Sequence, residues 1–217
     1  MTDTSVRLLS SGTADSAEMP VKARLLEAAA AVFGERGYHT TRVSDIVARA
    51  GVAQGTFYLY YKSKKAIFLE IIDSFFTHLL GETIGRHPAA RLGGADDMVR
   101  QIRGIWWTIL AYCRQHSGLT ALVLQESDAL GPVYRDHVRT HYEQVVDVMA
   151  AYLREAVALG IARPVAPKSM AWVVLGMVER AIYYAVFVEP EADLDALVED
   201  LVRLELVGLL AVPTALY

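Results

Sequence analysis

Residues 38–65 read YHTTRVSDIVARAGVAQGTFYLYYKSKK, and the reading of this stretch decides the fold. Val43, Ile46, Val47 and Ala50 recur at the three-to-four spacing of one helical face, and Gly51 follows as a stop. Thr41 stands ahead of that segment, where a hydroxyl can cap an orphan amide. Past the glycine, residues 54–61 form a third short helix, and Lys62-Ser63-Lys64 opens a long fourth one through Leu69, Ile72, Phe76 and Leu80. Upstream, Leu25, Leu26, Ala29, Val32 and Phe33 share one face of a first helix that ends before Gly37. Two short helices joined by a glycine-containing turn make a helix-turn-helix unit.

Working outward, helical patterns continue over residues 96–116, 119–129, 132–159, 168–188 and 193–211, separated at Gly93-Gly94, Gly118, Gly131-Pro132, Gly160 and Pro164/Pro167. Sustained period-two alternation, fixed-spacing repeats and low-complexity tracts do not occur. The expected fold class is all-α: a three-helix head with a helix-turn-helix, followed by a helical body, about nine helices in total. The expected divisions are an N-terminal arm over 1–19, a head over 20–66 and a body over 67–217.

The 217 residues are 53% hydrophobic and 21% charged, which excludes a disordered polyelectrolyte and requires a large buried core. Residues 1–19 lack a basic segment followed by an apolar one, so no secretory signal is read there. The single Cys113 excludes an intrachain disulfide and fits a cytoplasmic setting. The apolar run over 170–188 approaches membrane-span length but carries Glu179 and Arg180, each costing roughly 2.5–3.5 kcal/mol in a bilayer core. It is read as a buried helix. The net charge of −4 conceals an asymmetry. Residues 20–66 hold eight basic side chains, Lys22, Arg24, Arg36, Arg42, Arg49, Lys62, Lys64 and Lys65, against Glu27, Glu35 and Asp45. The rest of the chain is acidic, so only one end suits phosphate.

The residue types in the basic part fit that partner. Side chains near the start of a helix lying in the major groove reach base edges, which makes Gln54 and Thr56 the expected readers: Gln can pair with adenine, and a Thr methyl can meet a thymine methyl. Gly55 permits close approach of backbone to DNA. Tyr58 and Tyr60 can donate hydroxyls to phosphate, Lys62 and Lys64 supply charge, and Thr41, Arg42 and Ser44 mark the start of the preceding helix as a further contact region. The spacing of Phe57 and Tyr61 with Val52 assigns both to the core.

Over roughly residues 21–80 the chain resembles the head of the tetracycline-repressor (TetR) family. The matching elements are Thr41, Ile46 with Val47, the Ala50-Gly51-Val52 turn, Gly55-Thr56-Phe57-Tyr58, Tyr60 and Lys62-Ser63-Lys64, with Ala53, Gln54 and Leu59 departing from the common pattern. The resemblance implies that the remaining helices enclose an effector pocket, and that the last two pair with those of a second subunit in a four-helix bundle. The leading expectation is then a homodimeric repressor released from a palindromic operator by an effector, with the fourth helix as lever between body and head, and the Trp, Tyr and Met content of the body makes the expected effector small and largely apolar.

Trp106, Tyr112, Tyr134, Trp172, Tyr183, Tyr184, Met149 and Met177 are candidates for an apolar pocket. Glu179 and Arg180, charged on an otherwise apolar helix, need pairing or an opening to water, and can face either the ligand or a subunit interface. His137 and His141, four apart on a helix, have metal-binding spacing; no third ligand is legible, and they are read as a solvated or pocket-lining pair, with His141 the pocket candidate and no metal or cofactor assigned. No phosphate loop, nucleophile elbow or Cys-x-x-Cys is present, so the chain is not read as an enzyme. An enzyme working in the body pocket and a sequence-tolerant DNA-packaging protein are the alternatives. Turnover of a bound compound would reveal the first; the acidic body disfavours the second.

Overall fold

Alanine- and leucine-rich segments without sustained alternation leave the backbone one way to satisfy its hydrogen bonds. The computed structural model describes residues 19–84, 92–126 and 130–209, and among them the chain forms nine α-helices and no strand. They are α1 (Val21–Arg36), α2 (Val43–Ala50), α3 (Gln54–Tyr60), α4 (Lys64–Ile84), α5 (Ala95–Gln115), α6 (Ser117–Ala121), α7 (Pro132–Ala158), α8 (Pro167–Tyr183) and α9 (Leu194–Leu209). Wider π-type turns extend α6 over Leu122–Glu126 and α8 over Tyr184–Val188. The arm expected at the N-terminus lies outside the described residues up to residue 18, as do Pro88, the 127–129 end of the expected fifth-to-sixth segment and residues 210–211 of the last helix.

The described residues divide into two compact units that each gather non-contiguous segments: those up to residue 78 with those from 116 to 141, and those from 79 to 115 with those from 142 onward. In the first, Leu25, Ala29 and Phe33 of α1 pack with Ile46 of α2, Phe57 of α3 and Ile67, Phe68, Ile71 and Ile72 of α4, all at most 2% exposed. At roughly 1.5–3 kcal/mol for each fully buried large side chain, this core outweighs the weak helix preference of the short α2 and α3. The Phe68 ring lies 5.5 Å from Phe33, 4.9 Å from Tyr38 and 5.3 Å from Tyr134. Gly51 caps α2 in the left-handed region at φ 64°, and Arg24 of α1 donates to the Ala50 and Gly51 carbonyls at 2.6 and 3.1 Å, tying off that end.

Two expectations fail locally. Thr41 is not the cap of α2: it is 1% exposed and its hydroxyl donates to the Gly37 carbonyl at 2.8 Å. Arg42 takes the cap position, and its backbone N–H donates to Asp45 Oδ2 at 2.8 Å, so the anion-compatible helix start is held from within. Gly118 is not a break but lies inside α6. A Cβ there would meet Gly34 of α1 at 3.2 Å, so two glycines let the two backbones touch.

In the second unit, Val146, Ala150 and Leu153 of α7 form a core with Ala171 and Leu175 of α8. The α5 helix is tied to α9 by polar contacts. Arg103 meets Glu199 with Nε–Oε1 at 2.5 Å, Trp106 Nε1 donates to Glu205 Oε2 at 2.7 Å and Trp107 Nε1 to Asp195 Oδ1 at 3.1 Å. The Pro167–Val188 stretch has the length and hydropathy of a membrane span, yet Ala171, Val174, Leu175, Ala181 and Ile182 pack in the protein.

Candidate nucleic-acid interface and internal cavity

The α3 helix begins at Gln54 directly after extended Ala53, and its single fully buried side chain, Phe57, fixes which face turns outward. Tyr61 is buried too, so both aromatics assigned to the core are in it. Gln54 and Gly55 are exposed at the helix start, Thr56 is half-buried, and Tyr58 and Tyr60 stand outward at 53% and 45% exposure. Arg42, Ser44 and Lys62 are exposed as well. A Cβ built on Gly55 would meet no protein atom within 4 Å. Nothing among the described residues therefore requires glycine, although glycine weakens a helix by about 1 kcal/mol against alanine. The vacant side-chain position lies in open space at the exposed start of α3.

Lys64 departs from the expected phosphate anchor. Its Nζ donates to the Tyr38 and Thr41 carbonyls at 2.6 and 2.8 Å and lies 4.3 Å from the Tyr38 ring centre. Burial lowers its pKa. The ammonium is committed to the turn before α2, where free carbonyls outcompete solvent. Thr41, buried and bonded to Gly37, presents no surface for DNA either.

The second unit holds a cavity of about 340 Å³, lined by Leu80 of α4, Ile102, Trp106 and Ile109 of α5, Met149 and Tyr152 of α7, Val174, Leu175 and Val178 of α8 and Glu205 of α9. Its wall is almost wholly apolar apart from Thr83, Glu205, Tyr152 and the Trp106 N–H. Burial pushes the Glu205 carboxyl above its ordinary range, only partly opposed by the hydrogen bond from Trp106. The Tyr152 hydroxyl is buried without a hydrogen-bond partner among the described residues.

Of the residues expected at a ligand, Trp106 and Met149 line this cavity. Tyr112 is buried outside the lining, and Met177, Glu179 and Arg180 lie on α8 away from it, with the Arg180 guanidinium 5.1 Å from the Tyr183 ring centre. Tyr134 and His141 belong to the first unit, where Tyr134 donates to the Tyr38 hydroxyl at 2.6 Å and His141 meets Asp73. Glu205 was missed, although a signal existed. It follows Val198, Leu201 and Val202 at helical spacing, so α9 turns an acid toward its buried face.

A helix-turn-helix with polar residues exposed at the start of its second helix, followed by helices that enclose a cavity, defines the class as a helix-turn-helix protein with a cavity-bearing helical body. The family model described as bacterial regulatory proteins, tetR family, matches residues 25–71, and that of the tetracyclin repressor-like C-terminal domain matches residues 95–183. The uncharacterized HTH-type transcriptional regulator YvdT of Bacillus subtilis (strain 168) is 40% identical over 87 residues, covering 40% of this chain and 38% of its own. The matches to the first curated relatives span about a third of those relatives' length. Two solved structures share the fold: the fatty acid degradation regulator FadR from Bacillus halodurans (TM-score 0.77, 19% identity, 88% of this chain and 97% of that one) and the transcriptional regulator FadR from Bacillus subtilis in complex with stearoyl-CoA (TM-score 0.75, 20% identity, 85% and 97%). The chain belongs to the TetR family of bacterial regulatory proteins.

Proposed function

We propose that the protein is a cytoplasmic, sequence-specific DNA-binding regulator, a homodimeric repressor that leaves a palindromic operator when a largely apolar ligand fills the second-unit cavity. The start of α3 carries the DNA-binding part: Gln54 and Thr56 read bases, and Gly55, whose side-chain position is open, lets the duplex come close. Tyr58, Tyr60, Lys62, Arg42 and Ser44 hold phosphates around them, while Lys64 acts indirectly by holding the turn.

The cavity sets the ligand class. An apolar body matches the wall, and one hydrogen-bond donor or cationic group matches Glu205, which burial leaves with the Trp106 N–H as its cavity-side donor, and the unpartnered Tyr152 hydroxyl. The complex of the Bacillus subtilis structural neighbour with stearoyl-CoA supports a ligand with a long apolar part. The dimer face is the outer side of α8 and α9, where Trp172, Val173, Tyr183, Leu204 and Val207 are 42–72% exposed. Gly176 sits between Trp172 and Tyr183 on that side with no atom within 4 Å of its Cβ position, which permits a second helix to approach closely. Selection of bound sequences from a random duplex pool tests the reading. An inverted repeat is expected; recovery of unrelated sequences would reject sequence-specific regulation, and turnover of a cavity ligand would favour the enzyme alternative.

A further inference from the structure

Outside both of these sites, three side chains of the first unit converge in a way that neither the DNA interface nor the cavity explains. Asp73 projects from α4, and His137 and His141 project from α7 one turn apart. His137 Nε2 and His141 Nε2 lie 2.8 and 2.7 Å from the same oxygen, Asp73 Oδ1. All three donor atoms fall within 4.8 Å of one another. A tetrahedral zinc ion with bonds near 2.05 Å spaces its ligand atoms by about 3.4 Å, so the observed spread brackets what chelation needs. Sliding the carboxylate back by a fraction of an ångström would leave room for an ion.

We infer that Asp73, His137 and His141 form a binding site for one divalent transition-metal ion that clips α4 to α7. Two imidazoles and one carboxylate select zinc, cobalt or nickel over magnesium and calcium, which require mostly oxygen ligands. Three protein ligands leave one tetrahedral position for water or an exogenous ligand. The site is preorganised on one side and open on the other. His141, with its side chain 12% exposed, is held flat against Phe76 at 4.8 Å and 5° between planes, so its orientation does not depend on the ion. His137 and Asp73, at 31% and 48%, give the ion a way in from solvent. In the metal-free form the two imidazoles simply donate to Asp73. The same contacts therefore serve as a resting state that a metal replaces.

Asp73 lies nine residues along α4 from Lys64, which holds the turn before α2. A clip at Asp73 thus stiffens the helix that anchors the helix-turn-helix, independently of the second-unit cavity.

The test uses the untagged full-length chain, stripped with chelator, titrated with Zn2+ in competition with a chromophoric chelator and with Co2+ by visible absorption. The expected result is one ion per chain, the intense absorption of a low-coordinate Co2+ site, and a melting temperature that rises with Zn2+. Asp73→Asn and His137→Gln should each weaken binding by about 100-fold or more, beyond the loss typical of altering a ligand's supporting partner, and remove the thermal shift. His39→Ala, in an exposed residue of the head, should change nothing. If Asp73→Asn loses its helical circular dichroism, the decision passes to His137→Gln, which alters a partly exposed side chain. Absence of binding at about 100 μM Zn2+, or undiminished binding in a folded His137→Gln variant, overturns the inference.

Discussion

Gln54, Lys62 and Lys64 are polar side chains within eleven residues of one another, but Gln54 and Lys62 are exposed whereas Lys64 is bonded to the Tyr38 and Thr41 carbonyls, so the proposed function gives each a different task. Gln54→Ala and Thr56→Ala should each cost about 1–3 kcal/mol on the preferred operator and relax base choice, because both stand at the exposed start of α3. Lys62→Ala should weaken all duplexes alike and lower the salt slope by about one unit. Lys64→Ala should instead destabilise the fold by about 1–3 kcal/mol, because it strips a shared donor from the Tyr38 and Thr41 carbonyls. Salt-dependent binding curves together with denaturation separate the three outcomes. Glu205 allows a pH test. Its folded pKa is raised above 4.5, so the fold favours the protonated form, and that contribution is complete below about 4.5 and lost as pH rises through the folded value. Glu205→Gln should therefore gain stability over the wild type as pH increases from about 4.5, read as a growing difference in urea midpoint. A constant difference would count against a buried, ionising Glu205.

At the scale of elements, Gly55 is where folding and binding pull in opposite directions. Gly55→Ala should stabilise α3 by about 0.5–1 kcal/mol, since the new methyl meets open space, while weakening operator binding by filling the approach surface. A melting temperature that rises as affinity falls is the expected pair of readings; unchanged affinity would remove the close-approach argument. Gly118→Ala has the reverse profile, because its methyl would meet the backbone of Gly34, and it should cost about 1–3 kcal/mol of stability. The ends of α1 and α2 were legible because their apolar spacing and the stops at Gly37 and Gly51 are local, while α3, which no glycine ends, stops at Tyr60, one residue short of its expected end. What escaped the sequence depends on distant partners. Thr41 has the chemistry of a cap but is drawn to the Gly37 carbonyl, Gly118 resembles a breaker until Gly34 lies against it, and His141 reads as a pocket residue until Asp73 arrives from another helix. The pocket itself was legible in kind, through Trp106 and Met149. Of its polar atoms, Glu205 shows in the sequence only as an acid on an apolar stripe, a signal of its position but not of the Trp106 N–H that meets it from another helix.

On the scale of the whole molecule, the exposed apolar face of α8 and α9 and the cavity behind it make two linked predictions. Val173→Asp places a charge on the face where Val173 is 59% exposed, and in sedimentation it should turn a dimer into a monomer; a wild type that is monomeric at micromolar concentration would reject the interface. The release step is tested by linkage. The α4 helix lines the cavity through Leu80 and Thr83 and begins at Lys64, which holds the turn before α2, so a ligand that displaces one end of this helix bears on the other. Such a ligand should weaken operator binding by about 1–3 kcal/mol, roughly 5- to 150-fold, and the operator must weaken ligand binding by the same factor. Apolar compounds carrying one donor or cationic group can be titrated with and without operator while Trp106, in the cavity wall, reports by fluorescence. Glu205→Gln should reduce affinity for the cationic members and spare uncharged analogues, which ties any effect to the cavity. If every cavity ligand binds equally tightly to free and operator-bound protein, filling the cavity carries no free energy to the DNA-reading helices, and the regulator is not released by a ligand at this site.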